Sequence, residues 1–237
     1  MPTTQWTLVQ RLHCGDEGRV RRALDELCGA YHYPLYSYIR GWGINHHDAE
    51  DALHDFFTKL LRNESFGLAD PEKGRLRTYL LTALQRFLTD WNRSRLKRQK
   101  KGTASDGHAF PADAEERFLA AAVPAGESPD RLYDRHWAEA LMAQVLKRLQ
   151  DRYAAKGKSA LLEALRPVLL AGGSLQGCDS AAIAAGLGIT PVHLRTALHR
   201  LLADYQAALR EELLQTVGDR DQAKDELAVL MEAFSRR

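Results

Sequence analysis

No apolar run in this chain of 237 residues approaches the ~18 residues of a membrane-spanning helix, and the opening MPTTQWTLVQ has no signal-peptide core. The expectation is a cytoplasmic protein without membrane insertion. Cysteine is scarce: Cys14, Cys28 and Cys178 are an odd number with no CxxC pair, which argues against a disulfide framework or a structural zinc site. There is no HExxH, no glycine-rich phosphate loop and no G-x-S-x-G elbow, so nothing points to a cofactor, a metal or a catalytic centre of its own. A lone histidine on a helix is more often a surface or cap residue than a ligand. Neither charge dominates, with 33 basic against 31 acidic residues and a net charge of +2. Partners are therefore read from where the charges cluster.

The cations cluster at one place. From Leu76 to Trp91, apolar residues recur at steps of three and four, as in a helix that buries one broad face. From Arg93 the chain reads RSRLKRQKK, six cations without an acid. A helix anchored in a core by its first half and bare and cationic in its second is suited to a phosphate backbone. A solvated basic helix end that complements the helix dipole is the plainer alternative.

Before this helix, Tyr31, Leu35, Tyr38 and Trp42 are spaced to pack on neighbouring helices, and Pro34 marks a kink or a restart. HHDAEDALHDFFTKLL then reads as a helix with Asp48 as its N-cap. Its buried side is Leu53, Phe56, Phe57, Leu60 and Leu61, and Asp51, His54 and Asp55 fall on the other face. After the basic run, residues 102–130 hold six acids against one arginine and are rich in glycine and proline. They read as a flexible acidic linker, with a short helix near Ala114 to Ala121.

Helical spacing resumes through Leu132, Trp137, Leu141, Val145, Leu149 and Tyr153, and a following helix ends at Gly172 and Gly173. In DSAAIAAGLGITPVHLRTALHRLLADY a capped short helix, a turn at Gly188 and a strong helix start at Thr190 and Pro191 give helix-turn-helix spacing. Leu194, Leu198 and Leu201 form the inner face of the second helix, leaving His193, Arg195, Thr196, His199 and Arg200 to reach DNA. After Gly218 a final helix carries Leu227, Leu230, Met231 and Phe234 as its apolar stripe. The chain is expected to be all-α, with two helical domains: residues 1–101, the linker at 102–130, residues 131–217, and a helical extension at 218–237.

In this order the pieces resemble bacterial sigma factors of the extracytoplasmic-function group. DAEDALHDFFTKLL is similar to the segment of that family that binds the β′ clamp helices of RNA polymerase. RLRTYLLTALQRFLTDWNRSRLKRQK resembles the segment that melts the minus-ten element and captures its strand, and IAAGLGITPVHLRTALHRLL the helix-turn-helix that enters the minus-thirty-five major groove. TTQWTLV, ADPEKGRLRTYLLTALQRFL and REELLQTVGD further resemble a subgroup common in planctomycetes and verrucomicrobia. The resemblance implies region 2-like and region 4-like domains. It also implies core RNA polymerase (β′ clamp helices and β subunit), promoter DNA and a possible anti-sigma factor as partners.

Under that resemblance Asp51, His54 and Asp55 meet the polymerase, Arg86, Trp91, Arg93, Arg95, Lys97 and Arg98 the minus-ten strand, and His193, Arg195, Thr196, His199 and Arg200 the minus-thirty-five duplex. Arg86 stands where many members have Asn, His54 where Gln is frequent, and Leu202, Ala203 and Asp204 where Arg or Lys is common. A helix-turn-helix regulator that never engages polymerase is the alternative to an initiation factor. An enzyme is disfavoured.

Overall fold

The computed structural model describes residues 16–62, 75–98, 113–121, 126–217 and 220–235. These are all-α, as expected: α1 Glu17–Gly41, α2 His46–Arg62, α3 Leu76–Arg98, α4 Ala114–Ala120, α5 Pro129–Ala155, α6 Ser159–Leu170, α7 Ser180–Gly186, α8 Pro191–Thr216 and α9 Arg220–Ser235. The expected first helix around Trp6 and the loop from 63 to 74 lie outside the described residues. Two compact units emerge, one from residues 1–140 with 213–237, the other from residues 141–212.

The first unit is built on α1. Asp16 caps it by accepting from the Arg19 backbone N–H at 3.0 Å, and the helix runs without interruption through Pro34, which is therefore no restart. The Ser37 hydroxyl donates to the Pro34 carbonyl at 2.8 Å. Tyr31, Leu35, Tyr36, Tyr38 and Ile39 are buried, but Trp42 is 62% exposed. It falls on the helix C-cap, one residue past the point where the side-chain stripe follows the core.

The cap of α2 also differs from the expected one. The Asn45 carbonyl accepts from the Ala49 N–H and its side chain from the Asp48 N–H, so Asn45 is the cap. Asp48 sits in the first turn and accepts from the Asn45 amide in return. Phe56 and Phe57 from α2 meet Phe87 and the leucines of α3 in the core, with the Phe56 and Phe87 rings 5.6 Å apart. Gly41 lets α5 approach the end of α1, since a Cβ there would stand 2.9 Å from Leu132 and 3.2 Å from the Pro129 Cα.

Part of the acidic stretch is built into this unit. Glu115 of α4 accepts from the Tyr36 hydroxyl at 2.5 Å and the Arg40 guanidinium at 2.9 Å, and Arg40 also covers the Phe118 ring. The C-terminal helix joins the unit through charge. The buried face of α9 is Ala223, Glu226 and Leu230, so Leu230 of the expected stripe packs, while Leu227 and Met231 face solvent. Phe234 lies outside the described side chains. Glu226, fully buried, meets Arg77 of α3 at 3.2 Å and Arg75 at 3.5 Å. Arg77 also pairs with Asp134 of α5 and lies 4.8 Å over the Trp137 ring. Two buried or half-buried cations set the register of α9, and hydrophobic spacing alone does not reveal that.

The second unit packs Val145, Leu149 and Tyr153 of α5 against Leu162, Leu165 and Val168 of α6 and Leu194, Leu198 and Leu201 of α8. Gly173 has φ +76°, and a Cβ there would strike Leu202 at 2.6 Å, which explains a glycine after α6.

Candidate nucleic-acid interface

In the second unit, the Asp179 side chain accepts from the Ala182 N–H at 2.9 Å and so starts α7. Gly188, at φ +64°, makes the turn. The Thr190 hydroxyl accepts from the His193 N–H at 3.3 Å, and Pro191 opens α8. The two helices meet at 90°, within the range of a helix-turn-helix corner. Ala184 of α7 is buried in the same core cluster as Leu194 and Leu198 of α8.

With the three leucines turned inward, His193, Arg195, Thr196, His199 and Arg200 are all exposed. Thr196 keeps its hydroxyl on the Val192 carbonyl at 3.2 Å, leaving its methyl outermost. One residue on this face escaped the sequence reading. Val192 is 67% exposed in the first turn of α8, and at 100° per residue it shares the outward side with Thr196, His199 and Ala203. The signal was a β-branched apolar residue out of step with the leucine stripe.

Two departures from the resembled pattern have structural employment. Leu202 packs against Gly173, and Asp204 accepts from the Tyr153 hydroxyl at 3.0 Å. That bond pushes the phenol up, after burial as the larger cause. Arg148 meets the buried Glu212 at 2.6 Å lower on the same helix.

In the first unit, Asp51 is exposed on α2, with His54 and Asp55 half-buried beside it. On α3, Thr82, Arg86, Thr89 and Arg93 point away from the core, so two cations lie along one outer face about 10 Å apart. The threonines on this face, Thr82 and Thr89, were not singled out by sequence, because alternation with charge looks like an ordinary solvated surface. The backbone of α3 continues helical to Arg98. The side chains of Arg95, Lys97 and Arg98 lie outside the described residues.

Two residues given separate tasks are joined in the structure: the Trp91 indole N–H donates to Asp55 at 3.1 Å, and Trp91 is only 7% exposed. Its ring is part of the α2–α3 core, and stacking a base on it requires that it leave the core.

Among the described residues no group of three or more His, Cys, Asp or Glu is arranged to hold a metal ion. Cys28 is pushed up to about 12, chiefly by burial and then by Asp25, which keeps it an unreactive thiol. Cys14 lies outside the described residues. No single helix among these residues is long and apolar enough to cross a membrane.

Residues 27–99 match the family model described as Sigma-70 region 2, a span running from within α1 to the end of α3. The match supports a sigma-factor family and, with it, RNA polymerase binding, promoter recognition and transcription initiation. The helix-turn-helix lies outside the matched span. No curated protein and no solved structure matches the chain.

Proposed function

We propose that this chain is a sigma factor that binds core RNA polymerase, recognises a promoter, melts it and starts transcription, and that it works in the cytoplasm within the extracytoplasmic-function group and its planctomycete and verrucomicrobia subgroup. The observation that carries the reading is the region 2 match over a folded unit whose α2 displays carboxylates and whose α3 displays arginines. Residues 1–101 take the polymerase and the minus-ten element, and residues 131–217 take the minus-thirty-five element. Residues 102–130 join them, and 218–237 form an extension. The chemistry of chain synthesis belongs to the polymerase.

The division of labour follows from charge. Carboxylates on the exposed side of α2 complement a cationic surface such as clamp helices and repel DNA, so this face suits protein. Arg86 and Arg93, with the RSRLKRQKK run, suit a phosphate backbone, giving a salt-dependent hold on DNA. Opening a duplex without ATP requires that extruded bases be held, and base–aromatic stacking contributes ~1–3 kcal/mol per base. Trp91 joins strand capture once its bond to Asp55 opens, whereas Arg86 and Arg93 act without rearrangement. In α8, Arg195 and Arg200 flank the outward face and serve phosphates, while Val192, Thr196 and His199 serve base edges. An anti-sigma protein would compete for the α2 face or the α3 face.

A pull-down with core polymerase tests the reading, with Asp51→Lys as the informative variant. Asp51 is exposed, so its reversal leaves the fold intact, whereas reversing Asp55 also removes the acceptor of the Trp91 indole. The wild type should bind core and initiate at a distinct promoter set, and Asp51→Lys should lose both. If the wild type binds no core but selects a duplex by itself, the chain is a helix-turn-helix regulator.

A further inference from the structure

Of the three tryptophans among the described residues, Trp91 and Trp137 are buried and Trp42 is 62% exposed. An indole offers the largest aromatic plane a protein has, and leaving it in water forgoes the burial that the other two obtain. The local backbone keeps it there. Trp42 caps α1 between Gly41 and Gly43, so neither chain neighbour has a side chain to fold over it. Gly41 is held against Pro129 and Leu132 of α5, and Gly43, at φ +74°, turns the chain toward α2. The indole meets the Tyr38 ring at 6.3 Å between centroids and 71° between planes. An edge contact of this kind occupies at most one face of the indole and leaves the other open.

Tyr38 connects this indole to α3. Its hydroxyl accepts from the Gln85 amide at 3.0 Å, and one turn on the Thr89 hydroxyl donates to the Gln85 carbonyl at 3.0 Å. At about 100° per residue, Gln85 lies about 40° from Thr89 and about 80° from Arg93 around the helix. It therefore sits on the flank of the outer face that carries Thr82, Arg86, Thr89 and Arg93, and Gln85 is itself exposed. Trp42 stands beside that flank, linked to it through Tyr38.

Charge decides which part of a DNA strand fits this corner. The Gln85 amide also donates to Asp130 at 3.4 Å, and that exposed carboxylate repels a phosphate. A base is neutral and has a face to stack, so it meets no such penalty. The cations that suit phosphates lie to the side: Arg86 points about 100° away from Gln85, and Arg93 is about 12 Å further along α3. A strand held by its backbone on these arginines can lay a base over Trp42 with the core intact, whereas Trp91 must first leave it.

We propose that Trp42 is a stacking platform for an unpaired base of the DNA strand held on α3. The inference rests on the sigma-factor reading above and adds to it a residue outside the basic helix. Two holds on the strand are then separable: a salt-dependent one on the backbone from Arg86 and Arg93, and a salt-independent one on a base from Trp42.

The full chain assembled with core polymerase is titrated with a short labelled single strand of mixed sequence and with an abasic strand of the same length, core alone being the reference. The wild type should prefer the strand that carries bases. Trp42→Ala should weaken that strand about tenfold, leave the abasic strand and the salt slope unchanged, and bind core as the wild type does. Trp42→Phe, which keeps an aromatic plane, should recover most of the loss. If Trp42→Ala melts early, Trp42→Leu takes its place, since it covers Tyr38 and has no plane. A wild type that fails to bind core overturns the sigma-factor reading and this inference with it. Where core binding is intact, equal binding of the base-bearing strand by the wild type and the variant overturns the inference alone. So does an equal loss on the abasic strand, or a loss of core binding in the variant, which would assign the indole to the polymerase.

Discussion

Replacing Arg77 by alanine probes the ion-pair cluster that holds the C-terminal helix. The wild-type side chain is 7% exposed, donates to Glu226 at 3.2 Å, pairs with Asp134 and covers the Trp137 ring. Its loss leaves Glu226, with 0% exposure, facing Arg75 at 3.5 Å as its remaining cation among the described residues. Breaking one side of a buried pair costs ~3–5 kcal/mol, and the ring contact adds roughly 1 kcal/mol. An escape limits the penalty, because the stranded carboxyl can take up a proton. Burial already raises Glu226 above its ordinary value of 4.5, with Arg77 the largest opposing influence, so removing Arg77 raises it further. Protonation at neutral pH costs about 1.4 kcal/mol for each unit between the ambient pH and the group's pKa.

The expected loss is therefore about 4 kcal/mol near neutral pH, a fall of roughly 8–16 °C in Tm for a chain of this size, and it shrinks as the pH is lowered toward about 5. Urea and thermal unfolding followed by circular dichroism give the magnitude, and hydrogen exchange of the α9 amides shows where protection is lost. Arg77→Met with Glu226→Leu should recover most of the loss, since an apolar pair removes both charges together. A loss under about 1 kcal/mol, or one that is the same at both pH values, would refute the reasoning.

Four further outcomes are expected. His32 and His136 are both held near 4, from an ordinary 6.5, by burial as the first cause, so the unfolded chain takes up protons first on acidification. Their stabilisation is present above 6.5 and is lost as the pH falls from 6.5 toward 4, at roughly 2 kcal/mol each by about pH 5. His136→Phe should flatten the urea midpoint against pH across that window, and an unchanged slope counts against the assignment. Gly41→Ala should destabilise by about 1–3 kcal/mol in chemical denaturation, because its Cβ meets the Pro129 backbone and Leu132, and a stabilised variant would show that α5 yields easily. On a duplex selected by the protein, exchanging thymine for uracil at the Val192 contact should weaken binding about fivefold, and Val192→Ala should be indifferent to the exchange. Arg195→Ala and Arg200→Ala should each reduce the salt slope of duplex binding by about 1, and equal slopes would place these side chains off the phosphates.

Much of the fold was legible because it rests on periodicity. The leucines of α3 and of α8 recur at helical steps, and burial follows them closely. Caps set by local bonds were legible where the capping residue precedes a clear start, as at Thr190 before Pro191. Asp48 failed as a cap because the decisive geometry, the Asn45 carbonyl and side chain bonding the next turn, is shared between two acceptable capping residues. Trp42 failed as a core residue because a helix end breaks the register that a spacing argument assumes.

The candidate faces divide in the same way. The exposed arc of α8 follows from its leucine stripe, so His193, Arg195, Thr196, His199 and Arg200 were readable, and Val192 with them once the outward arc was drawn. Trp91 and Asp55 were each readable as one helix's outward or inward residue, but not as partners. Their bond spans 36 positions and depends on how α2 packs against α3.

By itself, the sequence determined the helices, the turn at Gly188 and the separation of cations from acids, because these depend on neighbours within a few positions. Only the tertiary structure decided that Glu115 joins α4 to Tyr36 and Arg40, that Glu226 joins Leu230 on the packed side of α9, and that His136 is buried against the Tyr33 ring. Each of those outcomes depends on residues far apart in the chain whose charges or donors are desolvated together. Desolvation is a property of the packed whole, and local spacing along a chain carries no record of it.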